Sequence, residues 1–204
     1  MGLIFVLGTF GMNFQITTAL MATQAFHKGA GEYGLLGSVM AIGSLTAALR
    51  TAGRKEPRLW IMLAALGGFA VSSTAAALAP NYVAFAVLLV PVGFTALTAM
   101  TVANTLVQTR VDPVMRGRVM ALYMAIFVGG TPIGAPVIGW IGEVAGPRWT
   151  ILVGSIAVLL TLAVVSHHLL REENVHVTWD AANRPHFNVH TTPRATPLEE
   201  PMPE

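Results

Sequence analysis

The sequence predicts an all-α, polytopic membrane protein with six transmembrane helices. Three observations carry this expectation. Charged residues make up only 11% of the 204-residue chain, against about 25% in an ordinary soluble protein. The charges that exist leave long runs without Asp, Glu, Lys or Arg: 27 residues before Lys28, 51 between Arg58 and Arg110, 24 between Arg118 and Glu143, and 22 between Arg148 and Arg171. A spanning helix needs about 20 apolar residues to cross roughly 30 Å of hydrocarbon. Finally, Pro80-Asn81 places a turn signal inside the longest run, so that run holds two spans.

The elements follow in order. Helix 1 covers about Leu3 to Ala25. No Lys or Arg precedes its apolar stretch, which is longer than a signal-peptide core, so a cleaved signal is not expected. Helix 2, Tyr33 to Leu49, is short and carries Gly34, Gly37 and Gly43. Helix 3 starts at Leu59, carries Gly67 and Gly68, and stops at Ala79 before the Pro80-Asn81 turn. Helix 4 runs from Tyr82 to Gln108, helix 5 from Val119 to Gly142, and helix 6 from Trp149 to Leu170. In lipid, small residues mark faces where helix backbones approach closely, so these glycines read first as packing positions. Residues 171–204 are a different material, with five prolines and the acidic pairs Glu172-Glu173 and Glu199-Glu200. They predict a cytoplasmic, disordered tail, within which the alternation in Val175–Trp179 and Phe187–Val189 is compatible with a small hairpin.

Basic residues set the expected orientation. With the N-terminus inside, the inner loops and tail hold ten of the twelve, among them Arg50, Arg54, Lys55, Arg116 and Arg118, and only Lys28 and Arg148 fall outside. The bias of Lys and Arg toward cytoplasmic loops therefore predicts a multi-pass protein of the cell membrane with both termini cytoplasmic. A net charge of +2, gathered in short loops, argues against nucleic acid as a partner. There is no cysteine, which removes thiolate metal sites and Cys nucleophiles. The tail histidines His176, His186 and His190 match no zinc spacing. No cofactor or metal is expected.

Two polar stripes lie within the spans. On helix 4, Thr95, Thr98, Thr101, Thr105 and Gln108 recur every three or four residues and share a face. Thr9, Asn13 and Thr17 do the same on helix 1. An unpaired amide in hydrocarbon costs several kcal/mol, so Asn13 must meet another helix or a wet cavity. These seven residues, Gln108 aside, are the candidate substrate-cavity positions. The plain alternative for each Thr is a hydrogen bond to its own i−4 carbonyl, needing no ligand. No acidic or basic residue lies within a span, so the intramembrane carboxylate common in proton-coupled carriers is missing here. No Ser/His/Asp set exists at membrane depth, and an enzyme is not expected. Helix 5 carries Gly130-Thr131-Pro132-Ile133-Gly134-Ala135-Pro136. Its prolines remove backbone donors and invite a bend, and Gly130 with Gly134 forms a GxxxG contact face. Gating and packing both fit these four positions.

Arg116-Gly117-Arg118-Val119-Met120-Ala121-Leu122-Tyr123, leading into that Gly/Pro-rich helix, resembles the C-terminal half of a major facilitator superfamily transporter. Phe10-Gly11-Met12-Asn13-Phe14 and Gly34-Leu35-Leu36-Gly37 resemble the seventh and eighth helices of its drug and siderophore (enterobactin-exporter-like) export branch. The resemblance covers residues 1–170. Arg50, Gly53, Arg54 and Lys55 fit the family's inner-loop element, but Leu49 stands where that element has an acid. The resemblance implies a 3+3 inverted repeat, half of a major facilitator fold, with helices 1 and 4 as counterparts around a central cavity. It implies export of an amphipathic small molecule by alternating access, with an N-terminal half or a second copy completing the carrier. The other reading is a non-transporting subunit or inactive fragment that binds a partner through glycine-rich helix faces.

Overall fold

A computed structural model of the chain describes residues 9, 13–52, 59–112, 114–172, 177–180 and 186–189. Among these residues six α-helices follow one another: α1 (Phe14–Leu20), which continues as a π-helical turn (Met21–Ala25), α2 (Ala30–Ala52), α3 (Leu59–Ala77), α4 (Tyr82–Arg110), α5 (Arg116–Val144) and α6 (Pro147–Glu172). Five of them, α2 to α6, are long and apolar enough to cross a membrane. The protein is a polytopic, essentially all-α membrane protein. α2 extends about one turn beyond the predicted start at Tyr33, because Gly29 N–H finds the Glu32 carboxylate at 3.1 Å and the first helical turn forms around that contact. α4 begins as expected at Tyr82, where the Asn81 side chain accepts from Ala84 N–H at 2.8 Å and caps the helix. α5 runs unbroken through Pro132 and Pro136.

The chain divides into two compact units, Met1–Ala163 and Val164–Glu204. In the first, α4 is the central element. Its Phe85, Leu89, Val92, Ala96 and Ala99 join Leu36 of α2, Leu66, Phe69 and Ala70 of α3, and Met21 in one buried core. Glycine allows the α2–α4 contact to close to backbone distance. A methyl group on Gly43 would overlap the Val90 carbonyl, and one on Gly93 would overlap the Met40 carbonyl. Ser44 Oγ donates across the same contact to the Gly93 carbonyl at 3.3 Å.

Three short connections gather at one end of this unit. Phe26 packs edge-on to Tyr82 (6.2 Å between centroids) and against Phe85 (5.5 Å). Tyr82 donates to the Glu32 carbonyl at 2.7 Å, and Lys28 Nζ lies 5.8 Å from the Tyr82 ring centre. The Arg148 guanidinium donates to the Ala79 carbonyl at 3.2 Å. The outward faces of α2 carry exposed Leu35, Ile42, Leu45 and Leu49, a surface suited to lipid.

The second unit holds the end of α6 and a two-stranded antiparallel hairpin, β1 (Val177–Asp180) with β2 (His186–Val189). Its register pairs Val177 with Val189 and Trp179 with Phe187. These are the segments whose alternation stands out within the tail.

Candidate functional site

Local sequence places one small polar face on each of three helices. Asn13 precedes α1, and its carbonyl accepts from the N–H groups of Ile16 and Thr17, both at 3.1 Å. Its side-chain Nδ2 donates to the Thr9 carbonyl at 2.6 Å. Thr17 lies one turn on, its hydroxyl donating to the Asn13 and Phe14 carbonyls at 3.3 Å each. On α3, Phe69 and Ser73 share a face at i, i+4. On α6, Thr150, Ile151, Gly154 and Ser155 form a strip of two turns. Thr150 donates to the Pro147 carbonyl at 2.6 Å and Ser155 to the Ile151 carbonyl at 3.0 Å.

These faces meet in a half-open crevice lined by α1, α3 and α6. Phe14 and Phe69 close one wall edge to face, 5.7 Å between centroids. The space open to the centre of a water-sized group is about 10 Å³, room for one such group. Asn13, Thr17, Ser73, Thr150 and Ser155 are all at least 95% buried. Among the described residues, Ser73 Oγ has no hydrogen-bond partner. Among the described residues no group of His, Cys, Asp and Glu could hold a metal ion.

Of the stripe on helix 1, Asn13 and Thr17 line the crevice. Thr9 is buried, its hydroxyl oxygen without a partner among the described residues, and its carbonyl lies against Gly134 of α5. The helix 4 stripe goes elsewhere. Thr95 packs its methyl against Gly68 of α3, 3.0 Å from where a Cβ would stand. Thr95, Thr98 and Thr105 donate to the carbonyls of Pro91, Phe94 and Thr101 at 2.7–2.8 Å. Thr98 is buried, and Thr101 and Thr105 are half-buried. None of these four lines the crevice. Gly130 and Gly134 are buried, whereas Pro132 and Pro136 face outward. Arg50, Arg116 and Arg118 are exposed; Arg54 and Lys55 lie outside the described residues. Ser73, Thr150 and Ser155 are crevice residues that lie outside both polar stripes. Only Ser73 had a signal, the polar run Ser72-Ser73-Thr74 inside an otherwise apolar helix.

The family profile of the Major Facilitator Superfamily matches residues 1–195. The chain belongs to the major facilitator superfamily. The match extends past residue 170, where the motif resemblance ends, and takes in most of the tail. Comparison with curated proteins and with solved structures gives no match. Membrane transport is thus the general activity of this major facilitator protein's family, and the short α1 followed by five long apolar helices among the described residues fits half of such a fold.

Proposed function

We propose that this chain is the C-terminal half of an exporter of amphipathic small molecules, working by alternating access together with an N-terminal half or a second copy. One observation supports the reading above others. Five of the buried polar side chains, from three separate helices, converge on one crevice walled by Phe14 and Phe69. A weakly polar group would find partners there beside aromatic surface, which suits an amphipathic molecule over a sugar acid or phosphate. On this reading the end carrying Lys28 and Arg148 faces outward, and the end carrying Arg50 and Arg116 faces the cytoplasm. The partner-binding reading gains less, because Gly134 is already occupied by Thr9 within the chain.

The test is drug efflux from cells expressing a complete transporter that contains this half. Asn13→Leu should abolish efflux while membrane abundance stays at wild-type level. Loss with Asn13→Leu alone assigns transport to the crevice, and loss with Thr98→Leu as well extends the path to α4. Wild-type efflux by both variants overturns the reading.

A further inference from the structure

The crevice has a chemical polarity that goes beyond being polar. We infer that it is a subsite for a compact hydrogen-bond donor, an ammonium or hydroxyl group on a small molecule, and that it rejects carboxylate and phosphate. The inference rests on the crevice being a binding site and adds which chemistry it accepts.

The hydroxyl protons of Thr17, Thr150 and Ser155 are committed to carbonyls of their own helices. One Asn13 amide proton is committed to the Thr9 carbonyl. What these groups still offer is lone pairs: three hydroxyl oxygens and Asn13 Oδ1. Ser73, 2% exposed and with its Oγ unpartnered among the described residues, adds a fifth acceptor. Against them stand two uncommitted donors, the Ser73 hydroxyl proton and the second Asn13 N–H. The lining contains no Lys, Arg or His and equally no Asp or Glu, so an anion or a cation entering loses its hydration without a counter-charge, and what discriminates between them is the surplus of lone pairs. An ammonium group brings three donors and no acceptor, and a hydroxyl brings one donor. Both complement a surplus of lone pairs. Size points the same way: about 10 Å³ for the centre of a guest admits one water-sized group and is too small for a phosphate. Phe14 and Phe69 then flank the apolar stem of the guest.

The test measures equilibrium binding to the purified full chain in mild detergent with three probes of one skeleton: 2-phenylethylamine, 2-phenylethanol and phenylacetate. The amine or the alcohol should bind at least tenfold more tightly than phenylacetate, and whichever leads identifies the preferred donor. Ser73→Ala and Ser155→Ala should each weaken the leading probe about fivefold, the loss expected for one hydrogen bond. Ser38→Ala, on the outer face of α2, should leave it unchanged. Equal binding of all three probes, preference for phenylacetate, no binding at millimolar concentration, or binding indifferent to both crevice variants overturns the inference. Donor-selective binding without efflux in the complete transporter would sink the export reading and leave this one standing.

Discussion

Gly43 and Gly93 form a reciprocal contact: each lies against a backbone carbonyl of the other's helix, Gly43 on Val90 and Gly93 on Met40. Two helices meeting in this way have no side-chain cushion. A new side chain cannot be absorbed by a rotamer change, since the obstructing atoms are backbone. Gly43→Val should therefore destabilise by about 3 kcal/mol, the upper end of ordinary overpacking costs. Gly37→Ala on the same helix meets open space and should stabilise by up to about 1 kcal/mol through helix propensity. Thermal unfolding in mild detergent separates the two; similar melting points would contradict the contact.

A second close approach joins α1 and α5. A Cβ on Gly134 would overlap the Thr9 carbonyl and stand 2.9 Å from Asn13 Nδ2. Gly134→Ala should push the helices apart and cost about 2 kcal/mol, with weaker probe binding because Asn13 moves with α1. Gly139→Ala, with nothing within 4 Å, should leave probe binding unchanged and stabilise by up to about 1 kcal/mol through helix propensity. An equal effect at both sites would show that α5 responds to helix propensity alone.

The turn-bearing end offers a graded pair. Tyr82→Phe removes the 2.7 Å bond to the Glu32 carbonyl and keeps the ring, so the expected cost is about 1 kcal/mol. Phe26→Ala removes contacts with both Tyr82 and Phe85 and should cost about 2 kcal/mol, less than a fully buried Phe. Reversal of that order in chemical denaturation would mean that the rings contribute little.

Arg148 donates to the Ala79 carbonyl just beyond α3, where a cation also favours the helix dipole. Arg148→Ala should lower stability by about 0.5–1 kcal/mol at low salt, and the difference should shrink as salt rises. A difference independent of salt would leave the hydrogen bond without its electrostatic part.

The membrane spans were legible because charge exclusion is a property of each segment taken alone. The Pro80-Asn81 turn was legible for the same reason, whereas the Asn81 cap on α4 emerges only in the structure. The crevice was not, because its members come from residues up to about 140 positions apart and no local period links Ser73 to Ser155. The helix 4 threonines show the converse. Their spacing is genuine, yet Thr95, Thr98 and Thr105 satisfy their hydroxyls on their own helix, and periodicity cannot distinguish that from an open binding face. Asn13 stood out as an amide expected to meet another helix or a wet cavity. Its Nδ2 donates instead to the Thr9 carbonyl four residues back, a local partner that the stripe does not reveal.

The π-helical turn at Met21–Ala25 works as a phase shifter. Each residue of an α-helix advances the side chains by about 100°, and a turn closed by Phe26 N–H on the Met21 carbonyl at 3.0 Å holds one residue more than an α-turn. Asn13 and Thr17 before it can look toward α3 and α6, while Phe26 after it looks toward Tyr82 and Phe85. Deleting a single alanine from this turn would leave a more regular helix whose two ends no longer agree on which way is in.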